Sequence, residues 1–194
     1  MEKINKKDIR LQTKEALQDF FVSHGAPSFK GGQVYQWLWQ KGAHDFDIMT
    51  NLSFEHRNIL KSYFEIKHIN IDAEQRSSDG TIKNAVKLHD QLVVESVLIP
   101  TASRTTACVS SQVGCSLDCI FCATAALKRM RNLNADEIYD QVIAIDLQSK
   151  LYHNRPLSNI VFMGMGEPLM NYKNVITAID KITHPEGLAM SPKR

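Results

Sequence analysis

Three cysteines, Cys115, Cys119 and Cys122, are spaced C-x3-C-x2-C within the stretch C-V-S-S-Q-V-G-C-S-L-D-C-I-F-C, which starts at Cys108 and holds every cysteine of the chain. Thiolates on one short loop can converge on a metal, because linkers of two or three residues turn the backbone toward a common point. Such a set leaves one coordination position open, as a catalytic metal site needs and a structural one avoids. An iron–sulfur cluster and a zinc ion are both compatible with soft sulfur donors, although zinc favours a fourth protein ligand and paired C-x2-C spacings. A second group with chemical potential is Gly164-Met165-Gly166-Glu167, which follows the apolar run Ile160–Met163. Glycines there let the backbone approach a ligand, and Glu167 can accept hydrogen bonds from an ammonium; the plainer reading is an ordinary strand-to-helix turn.

Four cysteines within fifteen residues, no apolar signal segment at the N-terminus and no membrane-length apolar run predict a cytoplasmic protein whose thiols are ligands or redox groups rather than a disulfide framework. The net charge of +2 neither requires nor excludes a nucleic-acid partner, so any basic footprint must be local. Lys128-Arg129-Met130-Arg131 is such a footprint, read either as a phosphate-contacting cluster or as a solvated surface.

The elements that would position these groups fall in three parts. Residues 1–65 read as a helical domain, with apolar spacing over 13–24, 32–41 and from the N-cap Ser53 to Phe64. Tyr35, Trp37 and Trp39 on the second of these helices, and Phe29 just ahead of it, read as core residues or as stacking partners for bases. Residues 66–100 alternate apolar and polar positions over Ile66–Asp72, Ile82–Leu88 and Leu92–Ile99, predicting a three-stranded antiparallel extension. Residues 101–194 give strand, loop, helix, strand, loop, helix: a strand over 105–110, a helix opened by the capping box Asn134/Glu137, the strand 160–163, and a helix from Asn171 with Tyr172, Val175, Ile176, Ile179 and Ile182 on one stripe. That order predicts βαβ units of a parallel sheet with both loops on one rim. Two such units leave an open edge, so the chain is expected to be a fragment.

The C-x3-C-x2-C loop, Glu95 in V-V-E-S-V-L-I-P, the run Cys108–Cys115, Arg131-Asn-Leu and Gly164-Met-Gly-Glu-Pro-Leu-Met-Asn171 together resemble the RlmN/Cfr family of radical S-adenosylmethionine (SAM) methyltransferases. The text around Phe29, Gln33–Trp39 and Met49–Leu52 extends the resemblance to nearly the whole chain, with the RlmN branch the better match. Two departures are His89-Asp90-Gln91, where the family commonly has glycine after the aspartate, and Ala125, where relatives often carry glycine.

The resemblance implies the first part of a partial (β/α)6 barrel preceded by the helical accessory domain. It implies a [4Fe-4S] cluster on Cys115, Cys119 and Cys122, shielded by Phe121, with SAM on its open iron and against Gly166 and Glu167. Glu95, which the bare sequence reads as an outward-facing charge, becomes the proton acceptor. Cys108, otherwise a buried small hydrophobe, becomes the resolving thiol. The implied reaction is methylation of adenine C2 in 23S rRNA and in tRNA, by way of a radical on a methylated cysteine that this sequence lacks. A flavodoxin-type reductant and a monomeric state complete the expectation, with a fragment inactive by itself. The competing reading is a zinc-bearing RNA-binding module without catalysis.

Overall fold

In the computed structural model, residues 6–192 are described, and they divide into two compact units. One is built from the chain up to Lys67 together with Thr183–Met190, the other from His68–Ile182.

In the first unit, β1 (Lys7–Asp8) pairs in parallel with β2 (Phe64–Glu65), and three helices lie between them in sequence. Thr13 opens α1 (Lys14–Ser23), its hydroxyl accepting the Ala16 N–H at 3.1 Å. Ser53 opens α3 (Phe54–Tyr63) in the same way, accepting from His56 N–H at 3.2 Å. Both residues satisfy donors that a helix end leaves orphaned. Leu17 and Phe21 of α1, Val34 and Leu38 of α2 (Phe29–Trp39) and Leu60 of α3 form the core. Trp39 belongs to that core, Phe29 is exposed, and Trp37 donates its indole N–H to Asn51 Oδ1 at 2.6 Å. The α2 aromatics therefore divide between core and surface.

Gly31 lets α2 approach α1, because a Cβ there would stand 2.5 Å from the Leu17 carbonyl carbon and 2.6 Å from Gln18 Cα. Neither backbone atom can give way. Gly31→Ala is expected to destabilise this unit by about 1–3 kcal/mol, measured by denaturant unfolding, whereas Gly32→Ala, which meets only the end of Lys14 at 3.8 Å, leaves it unchanged.

The second unit is built on one five-stranded sheet. Strands β3 (Asn70–Arg76), β4 (Ile82–Lys87), β5 (Val93–Pro100) and β6 (Thr105–Cys108) are antiparallel neighbours in that order. The chain then forms a short antiparallel pair, β7 (Gln112–Val113) with β8 (Arg131–Asn132), which closes the base of the cysteine loop. Helix α4 (Ala135–His153) crosses over to β9 (Asn159–Val161), which lies beside β6 in parallel, and α5 (Tyr172–Thr183) follows. The sheet is thus mixed, with β6–α4–β9 as its βαβ unit.

Period-two burial sets the faces. Ile82, Asn84 and Val86 of β4 and Val94, Ser96 and Leu98 of β5 are buried on the side where α4 supplies Ile138, Val142 and Ile145. Asn84 and Gln148 of α4 exchange amide hydrogen bonds at 2.9 and 2.7 Å across this layer, so neither buried amide is left unpaired. The alternation read over Ile66–Asp72 is displaced, since β3 begins only at Asn70 and Phe64–Glu65 form the separate β2. Gln91 occupies a left-handed backbone position, φ +69°, at the turn where the family resemblance leads one to expect glycine.

Candidate active site

The carboxyl ends of β6 and β9 are neighbours, and the loops leaving them are joined almost residue by residue. Val109 donates its N–H to Val161 O at 3.0 Å, Gly164 to Val109 O at 3.1 Å, and both Ser111 and Gln112 donate to Met165 O, at 2.9 and 3.1 Å. Side chains complete the seam, with Ser110 Oγ accepting from Met165 N–H at 2.8 Å and Gln112 Oε1 accepting from Glu167 N–H at 2.9 Å. So close an approach needs glycine. A Cβ on Gly164 would lie 2.7 Å from Ser110 Oγ, and one on Gly166, at φ +92°, would lie 2.6 Å from Gln112 Cγ. Gly166 and Glu167 are therefore fixed at the base of the cysteine loop. The Glu167 carboxylate caps the short turn Pro168–Asn171, accepting from Leu169 N–H at 3.0 Å through one oxygen.

Gly114, in left-handed backbone, brings the start of the cysteine loop against the Lys128 carbonyl, and Cys115 N–H donates to Leu127 O at 3.4 Å. Cys119 and Cys122 are linked by a 3.0 Å backbone hydrogen bond, and Cys122 opens the short turn Ala123–Ala126. The N–H groups of Ala125 and then Thr124 hold the Cys122 thiol below the usual thiol range. All four cysteines are free, and the three of the loop are half-buried. Among the described residues no group of three or more Cys, His, Asp or Glu side chains is gathered closely enough to hold a metal ion. Three thiols on one glycine-hinged loop, one of them biased toward thiolate by backbone donors, are nevertheless a donor set whose chemistry fits an iron–sulfur cluster. Phe121, expected as a shield, is 93% exposed.

Glu95 and Cys108 lie on the sheet face opposite α4. Val97 stands opposite Lys83 on one side and Cys108 on the other, and Glu95 is two residues from Val97 on the same face. Glu95 is paired with Lys83 at 2.6 Å with half of its side chain exposed, while its backbone carbonyl accepts from Ser110 Oγ at 2.5 Å. Ser110 thus ties the strand bearing Glu95 to the Gly-Met-Gly-Glu loop. Cys108 is buried, and burial pushes its thiol up, outweighing the Met163 backbone N–H, which acts the other way. Cys108 is accordingly expected to be the slowest of the four thiols to react with iodoacetamide at neutral pH, by about tenfold or more; peptide mass spectrometry of metal-free protein measures the order.

The residues that brace the two loops escaped the sequence reading. Gln112, fully buried, also donates to Asn132 Oδ1 at 2.7 Å, and Asn171 donates to both Ser111 O and Leu133 O at 2.8 Å. Three consecutive polar residues, Ser110-Ser111-Gln112, between Val109 and Val113 were the available signal, since buried polar groups must find partners.

Arg131 is a second brace. It forms a bidentate pair with Glu137 at 2.7 and 2.8 Å and reaches Asp90 Oδ2 at 2.6 Å, which holds the Asp90 carboxyl below the usual carboxylate range. Within Lys128–Arg131, read either as a phosphate-contacting cluster or as a solvated surface, Arg131 is committed to two carboxylates, while Lys128 and Arg129 remain at the surface.

Residues 8–66 match the model of the ribosomal RNA large subunit methyltransferase N-terminal domain. Over 192 residues the chain is 74% identical to the probable dual-specificity RNA methyltransferase RlmN of Christiangramia forsetii, covering 99% of this chain and 54% of that protein. It is 43% identical over 194 residues to the dual-specificity RNA methyltransferase RlmN of Geotalea uraniireducens, covering 100% of this chain and 54% of that protein. A crystal structure of a radical SAM methyltransferase from Sphaerobacter thermophilus superimposes with a TM-score of 0.85 at 33% identity, over 97% of this chain and 55% of that chain. The chain spans about half the length of the curated relatives it matches.

Proposed function

We propose, from a resemblance to the RlmN family that runs the whole length of the chain, that it is the cluster-bearing portion of a radical SAM methyltransferase acting on C2 of an adenosine in 23S rRNA and in tRNA. The observation that carries the reading is the seam between the two loops, which holds Gly166 and Glu167 at the base of the loop bearing Cys115, Cys119 and Cys122. In this reading residues 1–65 are an accessory domain that meets RNA, 66–100 an antiparallel extension, and 101–194 the first part of a partial (β/α)6 barrel.

Cys115, Cys119 and Cys122 would hold a [4Fe-4S] cluster, and Gly166 and Glu167 would receive SAM. When bound, these groups supply the one-electron chemistry that an unactivated adenine carbon requires. Gly166, packed against Gln112 where no side chain fits, would hold the loop in place, and the Glu167 oxygen not engaged by Leu169 would accept from the SAM ammonium. Glu95, half-exposed on the open sheet face, takes the proton that leaves adenine C2. Cys108, on the same face, is the resolving thiol. Reaching C2 requires an unstacked base, so the substrate is an RNA loop or an opened helix. A flavodoxin-type protein supplies electrons, and the enzyme works as a cytoplasmic monomer. Among the described residues no helix is long and apolar enough to cross a membrane.

The test is mass spectrometry of nucleosides from 23S rRNA and tRNA incubated with full-length enzyme, SAM and reductant. C2-methyladenosine with the parent enzyme, and its loss with Glu95→Gln or Cys108→Ala, is expected; a cluster-loaded parent that makes no such product overturns the reading. The sequence holds four cysteines, three as ligands and one resolving, so none is left to carry a methyl group. The 194-residue chain alone is therefore expected to be inactive.

A further inference from the structure

On the sheet face that carries Glu95 and Cys108, one basic side chain is committed to a carboxylate. Lys83 of β4 stands opposite Val97 of β5, one step diagonally from Glu95, and its ammonium lies 2.6 Å from Glu95 Oε1. Two further titratable groups share this face on the flanking strands: Lys87, opposite Val93, and Cys108, opposite Val97. Gln75 of β3 stands opposite Lys83, and the other neighbours of the pair on this face, Val93, Ala85, Val97 and Ile99, are apolar. Both members are about half exposed, 46% for Lys83 and 50% for Glu95, so water screens the attraction and the pair contributes little to folding. Its effect is geometric. A glutamate on an open strand face samples several rotamers, and the ammonium confines this one to the side of β5 that faces β4. A carboxylate has about four lone-pair sites, so the single ammonium leaves others open toward solvent, where a base would enter.

We propose that Lys83 is a positioning residue for the reaction, holding the Glu95 carboxylate in the orientation from which it accepts the adenine C2 proton. This rests on the reading of Glu95 as the proton acceptor. In that step the C2–H bond breaks, its electron pair stays on the modified adenine, and the carboxylate becomes a carboxylic acid. Lys83 gains and loses no proton. It fixes where the accepting oxygen stands.

The experiment uses the full-length enzyme, loaded with its cluster, and measures 5′-deoxyadenosine released per methylated adenosine formed, a ratio that a folding defect does not raise. Glu95→Gln and Lys83→Met are each expected to raise the ratio about fivefold or more, because early turnover continues while completion fails. Lys83→Arg, which keeps a cation within reach of the carboxylate, is expected to stay within about twofold of the parent. Iron content is expected to be unchanged and the melting temperature of Lys83→Met to fall by no more than about 3 °C. A Lys83→Met enzyme that keeps the parent ratio while Glu95→Gln raises it overturns the role of Lys83 and leaves Glu95 standing. A Lys83→Arg enzyme as uncoupled as Lys83→Met also overturns it. If Glu95→Gln keeps the parent ratio, the assignment of Glu95 fails and the proposal fails with it.

Discussion

Arg131→Ala is expected to lower the melting temperature of the second unit by about 10 °C and to loosen the cysteine loop at its base. Glu137, whose side chain is 2% exposed, carries out two tasks at once: it accepts both prongs of Arg131, and it closes the capping box of α4 by accepting the Asn134 N–H at 2.9 Å. Removing the guanidinium leaves a carboxylate in a dry site with only His89, at 3.2 Å, and the cap donor beside it. Breaking a buried pair from one side costs about 3–5 kcal/mol, and each kcal/mol moves the midpoint by about 2–4 °C in a chain of this size. Arg131→Lys is expected to recover less than half of the loss, because an ammonium cannot span two carboxylate oxygens and Asp90 together. A midpoint change below about 3 °C in Arg131→Ala, read by calorimetry, would show that the pair does not brace the loop.

Gly166→Ala is the second large effect, expected to weaken SAM binding by about tenfold or more while leaving the helical first unit intact. Two independent obstacles coincide at this residue. Its φ of +92° is a region that side chains rarely enter, and its Cβ would press on Gln112, the residue whose Oε1 holds Glu167. Strain at such a position costs about 1–3 kcal/mol, and relief requires the Gly-Met-Gly-Glu loop to leave the seam. Equilibrium dialysis with SAM on reconstituted protein measures the change. Gly25, also at positive φ but with open space around it, is the control: Gly25→Ala meets strain without collision and sits in the other unit, so SAM affinity should not move.

How far the sequence could be read depended on the distance over which each residue acts. Ser53 and Asn134 announce helix starts because a capping side chain bonds to backbone three residues away, and both do so; Thr13, read only as the start of an apolar pattern, caps α1 in the same way. The three-stranded antiparallel run and the βαβ order were visible as changes of period, and both are present in the sheet. Asn171 shows the limit. It reads as an N-cap for α5, yet its amide bridges Ser111 O and Leu133 O, 60 and 38 residues away, and its oxygen accepts from the Asn174 side chain. Arg131 sits in a basic tetrad that resembles a phosphate footprint, and only folding reveals Asp90, 41 residues away, as its partner. The start of β3 was misplaced because the alternation over Ile66–Asp72 runs through residues 66–69, which carry no strand, before β3 begins at Asn70. For the candidate site, residue types and spacing pointed to the loops, and the fold supplied what spacing cannot: the seam that joins them, the buried amides that brace it, and Lys83 beside Glu95.

The central claim, that Cys115, Cys119 and Cys122 hold a [4Fe-4S] cluster, is tested most directly by iron and acid-labile sulfide analysis of anaerobically reconstituted chain, with its visible absorption spectrum. About four iron and four sulfide per chain, a broad absorbance near 400 nm or so, and loss of both in Cys119→Ala are the expected result. A colourless protein holding one tightly bound zinc would contradict it and favour an RNA-binding module without radical chemistry.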